Sequence, residues 1–94
     1  MDKKKVGKIV ELAIAEYGGD VTKNAIIWHL EHTYSMEPAD AIFKPEKFLK
    51  ALRDIYGDFV SIIESSICYR LAKEYGINYS GQGLVKLAEE LKVG

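Results

Sequence analysis

His29, His32 and Cys68 are the side chains of this sequence whose types could bind a metal or take part in catalysis. The two histidines stand three positions apart, a spacing that brings both imidazoles to one side of an α-helix. A zinc site needs three or four ligands, and the sequence has no further His, Cys, Asp or Glu cluster at a familiar ligand spacing. His29 and His32 are therefore weak metal candidates, and we prefer the alternative that they are surface residues.

Cys68 is the single cysteine of the chain, so an intramolecular disulfide cannot form. A nucleophilic thiol needs a pKa lowered by a neighbouring base or by a helix N-terminus. Cys68 instead falls in the middle of a predicted helix, among apolar residues. We interpret it as an inert thiol of the protein core.

The turn with the sequence SGQG, residues 80–83, raises the question of a phosphate site, because backbone N–H groups at the start of a helix can bind anions. A P-loop has the pattern G-x-x-x-x-G-K-[ST] after a strand, and a dinucleotide-binding loop has G-x-G-x-x-G in a βαβ unit. Neither pattern is present. We interpret the segment as a turn in which Ser80 caps the last helix. For the protein as a whole we predict no catalytic residues, no cofactor and no enzymatic activity.

Basic residues recur at every third position of one segment and are the candidates for nucleic-acid binding: Lys44, Lys47, Lys50 and Arg53. Successive steps of three residues make these charges drift over about half of a helix circumference. The formal net charge is −1, without the basic excess that nucleic-acid binders usually carry. Two interpretations stay open: an ordinary solvated helix face, or a basic surface shared with the lysines at positions 3, 4, 5 and 8.

The elements that hold these residues are predicted to be helices, because apolar residues recur at spacings of three and four and do not alternate convincingly. Gly18, Gly57 and Gly76 are placed to end helices, and Pro45 suits the first position of one. A chain of 94 residues suits one small domain. We predict a single all-α domain over residues 1–94, a compact bundle of about five helices in orthogonal or up-down packing with no significant sheet.

Details of these helices also follow from the sequence. Polar side chains placed to cap helix N-termini are Asp20 or Thr22, then Asp58, and Ser80 as above. The longest helix is predicted to run from roughly Phe59 to Tyr75. One apolar stripe of that helix comprises Phe59, Val60, Ile63, Ile67 and Leu71.

Four large apolar residues, Leu12, Trp28, Ile62 and Tyr69, fall outside the main stripes of their helices. Aromatic residues are enriched at the centres of protein interfaces, so this surplus indicates a second buried surface. A symmetric homodimer is the simplest form of it, and another protein partner is possible. The alternative is a bundle with enough layers to bury the four internally. The leading hypothesis is a non-enzymatic interaction module that self-associates, and the alternative function is a nucleic-acid-binding transcriptional regulator.

The chain starts with Met1 followed by DKKK and an amphipathic segment, which is not the pattern of a signal peptide. Its longest apolar runs are too short to span a bilayer. We therefore expect a cytoplasmic protein with no membrane partner.

The segments KNAIIWHLEHTY and KPEKFLKALRDIYGDFVSIIESSICYRLAKEYGI resemble the archaeal signalling output domain named the Nitrosopumilus output domain. The resemblance is carried by Pro45 and Phe48, by the break at residues 55–57 and by the aliphatic helix at residues 63–71. It covers roughly residues 24–79 and implies an all-helical module downstream of archaeal signal receivers, with no functional residues to carry over. These 94 residues include no receiver domain, so we expect self-association or partner binding to be the shared property.

Overall fold

The chain folds into a helical bundle, in a computed structural model that describes residues 1–93. The helices are α1 (Lys3–Ala15), α2 (Gly19–Tyr34), α3 (Asp40–Phe43), α4 (Pro45–Tyr56), α5 (Val60–Tyr75) and α6 (Leu84–Val93). Helix α3 is a single turn, and the other five have 10 to 16 residues. The described residues contain no β-strand. The predicted all-α bundle of about five helices is confirmed.

Helix α5 lies at the centre of the bundle, where it packs against α1, α4 and α6. Two contacts show that α1 and α5 are antiparallel. Lys5 near the start of α1 pairs with Glu74 near the end of α5, and Glu16 at the end of α1 accepts a hydrogen bond from Ser66. The largest fully buried side chains are Val6, Val10, Ile14, Leu30, Ile42, Phe48, Leu52, Ile63, Ile67, Leu71, Leu84 and Leu87.

Two of the three predicted helix breaks lie where the sequence places them. The prediction for Gly18 is wrong: α1 already ends at Ala15, and Gly18 directly precedes α2. Gly57 ends α4 with φ +64°, and Gly76 ends α5 with φ +67°. Residues that have a side chain are strained at such positive φ angles, whereas glycine is not. The backbone N–H of Gly76 donates to the carbonyl of Ala72, which satisfies an acceptor at the end of the helix. Pro45 is the first residue of α4, as predicted.

The predicted side-chain caps are wrong. Helix α2 begins at Gly19, so Asp20 and Thr22 lie inside it and cannot precede it as caps. Asp58 lies in a short 3₁₀ turn, residues 57–59, and α5 has no side-chain cap among the described residues. At the start of α6 the backbone N–H of Leu84 donates to the Glu64 carboxylate. The backbone N–H and the hydroxyl of Ser80 donate to the side-chain oxygen of Gln82, so Ser80 does not cap this helix.

The inner stripe of α5 is confirmed except at its first position. Val60, Ile63, Ile67 and Leu71 are buried, but Phe59 is 45% exposed. The prediction for Phe59 is wrong because this residue belongs to the 3₁₀ turn, which winds more tightly than an α-helix and therefore breaks the angular spacing of the stripe.

Candidate interaction surface

The four residues predicted to form an interface all lie at the surface. Their exposed fractions are 55% for Leu12, 56% for Trp28, 43% for Ile62 and 52% for Tyr69. Further layers of the bundle do not cover them, so the interpretation that they are buried internally does not hold. Their contribution to an interface stays a prediction.

Ile62 and Tyr69 lie in one open groove of about 700 Å³. Helix α5 supplies most of its surface, the end of α1 lies along it, and Tyr79 in the connection before α6 completes it. The lining residues are Glu16, Tyr17, Ser61, Ile62, Ser65, Ser66, Tyr69, Arg70, Lys73 and Tyr79. The groove thus combines aromatic side chains with small hydroxyl residues and charges.

Apolar side chains continue at the margin of this groove. Tyr17 is 39% exposed, and its ring meets that of Phe59 edge to face, with 6.1 Å between the ring centroids. Leu12 stands seven residues after Lys5 and four before Glu16, and both of these contact α5. Leu12 therefore lies on the flank of α1 that borders α5.

We call this surface the α1–α5 face, defined by Leu12, Tyr17, Phe59, Ile62 and Tyr69. Soluble monomers rarely expose large contiguous apolar patches, and such patches mark interaction sites. Sequence reasoning identified three of the five residues. It missed Tyr17 and Phe59. Phe59 was assigned to the inner stripe of α5, and both residues lie just outside the regular helices whose periodicity was used.

Charged groups beside the groove are partly paired within the chain. Glu16 forms an ion pair with Arg70 and accepts a hydrogen bond of 3.0 Å from the Ser66 hydroxyl. In contrast, Lys73 in the groove and the exposed Asp58 have no ion-pair partner within 4.0 Å among residues 1–93. Both charges are therefore available to a partner.

Trp28 lies apart from these residues. Its helix, α2, packs against α1 and α4. The indole stacks on the His32 ring with 4.3 Å between centroids, and the Trp28 carbonyl is 2.9 Å from Nδ1 of the same histidine. Trp28 and His32 thus form a local surface cluster, and Trp28 does not line the groove.

The two histidines are exposed, which agrees with their interpretation as surface residues. His29 Nδ1 is 3.5 Å from the Thr33 hydroxyl, and its ring meets Tyr34 edge to face. No group of three or more potential metal ligands comes together within residues 1–93. The fold does not complete a metal site around His29 and His32 in that part of the chain.

Cys68 is fully buried in the core. Burial, and then the negative charge of Glu64, raise the pKa of its thiol to about 12. The thiol is therefore neutral near pH 7, where a nucleophilic cysteine would have to be ionised. This environment agrees with the interpretation of Cys68 as a core residue.

Three of the four nucleic-acid candidates come together. Lys44, Lys47 and Lys50 line a shallow depression that also contains Tyr34 and Asp54, and Arg53 does not line it. None of the four basic residues has a carboxylate within 4.0 Å in the described part of the chain. The Tyr34 hydroxyl donates to Asp54 over 3.3 Å, and desolvation followed by the Asp54 charge raises the pKa of Tyr34.

The N-terminal lysines form a separate group. Lys4, Lys5 and Lys8 line a second shallow depression together with Leu12, which does not line the groove of α5. Lys3 pairs with Glu37, and Lys5 pairs with Glu74. Helices α1 and α4 do not contact each other over the described residues. The packing therefore does not join the two sets of lysines into one depression.

No protein-family model, curated protein or solved structure gives a significant match to this chain. The resemblance to the Nitrosopumilus output domain therefore stays a prediction. Within residues 1–93, no helix combines the length and the apolar character needed to cross a membrane.

Proposed function

We propose that this chain is a non-enzymatic interaction module that self-associates through the α1–α5 face. The observation that carries the proposal is the exposure of five large apolar side chains, three of them aromatic, on the adjacent helices α1 and α5 and in the turns next to them. Burial of apolar surface is favourable by about 25 cal/mol per Å², and aromatic residues concentrate at interface centres. A second copy is the simplest partner, because a twofold axis lets one surface serve both chains.

The placement of the reactive side chains supports a role without catalysis. His29 and His32 lie exposed on α2, whereas Cys68 lies inside the core with a raised pKa. These groups are not gathered around the groove. In line with the sequence resemblance, we propose that the module acts in archaeal signalling or regulation in the cytoplasm.

The test is the solution mass, measured by light scattering behind a sizing column for the wild type and two variants. Tyr69→Glu places a charge on the α1–α5 face, and Trp28→Glu places one on α2. The two original side chains are exposed to similar extents, 52% and 56%, so neither change should disturb the core. We expect a wild-type dimer, a folded Tyr69→Glu monomer and a Trp28→Glu dimer, because a buried unpaired charge is unfavourable.

Two results would contradict the proposal in different ways. A wild-type monomer at every concentration up to the solubility limit would exclude self-association. A dimer that Trp28→Glu dissociates and Tyr69→Glu leaves intact would place the interface on α2. Circular dichroism of both variants shows whether a change in mass reflects unfolding.

Binding of nucleic acid is the second candidate function, and the grouping of Lys44, Lys47 and Lys50 without ion pairs favours it. Binding to phosphates releases counterions, so its affinity must fall steeply as salt increases. We expect the double variant Lys47→Glu, Lys50→Glu to abolish gel retardation of duplex DNA at low salt. Asp54 in the same depression and the net charge of −1 count against this function.

The single variants Lys47→Glu and Lys86→Glu make a charge-matched comparison, because Lys86 is exposed on α6 outside that depression. A specific site predicts that Lys47→Glu weakens retardation much more. Equal effects would indicate attraction by overall charge alone, and no retardation of the wild type at low salt would reject the function.

A further inference from the structure

The exposed side of α5 has a regular order of side chains. Ile62, Ser65, Ser66, Tyr69 and Lys73 all line the groove and follow one another at the three- and four-residue spacing of a helix face. The two serines stand in the middle. Ile62 lies one turn before them and Tyr69 one turn after them. The charged Lys73 lies one turn further, towards the C-terminal end of the helix.

This order is symmetric about the midpoint between Ser65 and Ser66. Ile62 stands three positions before Ser65, and Tyr69 stands three positions after Ser66. Asp58 stands seven positions before Ser65, and Lys73 stands seven positions after Ser66. When two such helices pair in antiparallel orientation about that midpoint, each residue faces the symmetric position of the other copy.

We infer that two copies of this chain dimerise by antiparallel pairing of their α5 helices about a twofold axis between Ser65 and Ser66. The inference rests on the proposed self-association and specifies its geometry. Ile62 of one copy then packs against Tyr69 of the other, twice in the dimer. The small serines at the axis allow the two helices to approach closely, because the interaxial distance depends on the side chains at the contact.

Charge complementarity selects the antiparallel orientation. Asp58 and Lys73 have no ion-pair partner among residues 1–93. Asp58 lies in the 3₁₀ turn directly before α5 and Lys73 lies near the end of α5, so antiparallel pairing brings the end that carries Asp58 to the end of the other copy that carries Lys73. Parallel pairing in register would instead place Asp58 beside Asp58 and Lys73 beside Lys73. Like charges that face each other across an interface are unfavourable and suppress the wrong arrangement.

Tyr17 and Tyr79 extend the contact beyond the two helices. Both line the groove that α5 forms, Tyr17 from the end of α1 and Tyr79 from the connection before α6. An α5 helix from the second copy that lies along this groove contacts both tyrosines. Helix α5 has 16 residues, which is about 24 Å of helix available for the contact.

Cysteine cross-linking tests the position of the axis. Ser65→Cys places a thiol next to the axis in both copies, so mild oxidation should give a disulfide-linked dimer. Ser61→Cys is the matched control on the same helix, because its two copies would lie about nine residues apart along the helices, about 13 Å. That separation exceeds the Cα distance that a disulfide can bridge. Cys68 stays in both variants, because it is buried.

A charge exchange tests the orientation. Lys73→Glu alone and Asp58→Lys alone each create two pairs of like charges, and we expect either change to weaken dimerisation by about tenfold. The double variant Asp58→Lys, Lys73→Glu recreates opposite charges across the axis and should restore the wild-type dissociation constant. Both substitutions oppose the α5 dipole, so a merely local effect on folding would be worse in the double variant.

The outcomes separate this inference from the proposed function. A wild-type dimer that Tyr69→Glu dissociates, together with cross-linking of Ser61→Cys and none of Ser65→Cys, keeps self-association and overturns the α5 axis. A double charge variant no better than either single one overturns the orientation. A wild type that is monomeric overturns both. A dimer that Trp28→Glu dissociates and Tyr69→Glu leaves intact likewise overturns the inference. So does a wild type whose solution mass shows a complex with a different protein and no dimer.

Discussion

At the scale of single residues, burial controls what Cys68 can do. Its thiol has no exposed surface, and desolvation is the main cause of a pKa of about 12, against an ordinary value of 9.0. The neutral thiol costs little to bury, whereas the thiolate would lose its hydration. The sequence predicted this inert character, because a cysteine in the middle of an apolar helix has no activating base.

The raised pKa of Cys68 predicts a stability that falls at alkaline pH. Below pH 9 the thiol is protonated in both states, and its contribution is fully present. Between the ordinary pKa of 9.0 and the folded value of about 12, only the unfolded chain loses the proton, which favours unfolding. We expect the free energy of unfolding to drop by about 1.4 kcal/mol from pH 7 to pH 10 through this group, measured by urea denaturation.

The control for this prediction is Cys68→Ala, which should lower stability at pH 7 but reduce the dependence on pH. Burial also raises the pKa of Tyr56, and desolvation and Asp54 raise that of Tyr34. These two tyrosines therefore add to the loss of stability above pH 10 in the wild type and in Cys68→Ala alike. An equally steep decline of the variant between pH 9 and pH 10 would show that the thiol is not responsible.

At the scale of elements, the start of α6 depends on a residue twenty positions earlier in the chain. The Leu84 N–H donates to Oε2 of Glu64 over 2.9 Å, and the carboxylate charge lies at the positive end of the helix dipole. A Cβ added at Gly83 would lie 3.2 Å from the same oxygen, so the glycine leaves room for this close approach. Glu64 therefore ties the start of α6 to the second turn of α5.

Removal of this cap should destabilise the fold. We expect Glu64→Ala to lower the free energy of unfolding by about 1 kcal/mol, the usual effect of losing a side-chain cap. Glu64→Gln keeps an acceptor oxygen and should lose less. Glu31→Ala, at an exposed position on α2, is the control in urea denaturation. Equal stability of Glu64→Ala and Glu31→Ala would show that the carboxylate does not hold α6.

At the scale of the whole molecule, one core joins the helices, and α6 closes it by packing against α3, α4 and α5. Leu87 of α6 is fully buried, whereas Leu12 of α1 is 55% exposed. A leucine-to-alanine substitution at each site therefore compares the stability lost at a buried position with that lost at an exposed one. Loss of a buried leucine removes both transfer free energy and packing contacts.

We expect Leu87→Ala to lower the free energy of unfolding by about 2–5 kcal/mol, and Leu12→Ala to change that of the monomer by less than about 0.5 kcal/mol. Thermal and urea unfolding at low protein concentration give both values. Similar losses in the two variants at low concentration would contradict the assignment of α6 to the core. A loss in Leu12→Ala that grows with concentration would place Leu12 in the dimer contact.

The helices could be predicted from the sequence because helix formation is governed by local chemistry. Apolar spacing, Pro45 and the glycines at positions 57 and 76 act within a few residues of their own positions, so helix type, most breaks and most core residues followed from them. The caps could not be predicted in the same way. Ser80 is a suitable local cap, but Glu64 is brought to Leu84 by packing between helices.

The sequence by itself determined an all-α bundle, its inner stripes and the surplus of apolar residues outside them, because each depends on periodicity within one helix. Only the tertiary structure decided which surplus residues are neighbours. It placed Ile62 and Tyr69 in one groove beside Tyr17, left Trp28 on α2, and gave the lysines of α1 and α4 separate depressions. These outcomes depend on how helices distant in sequence pack against each other, and no local pattern encodes that packing.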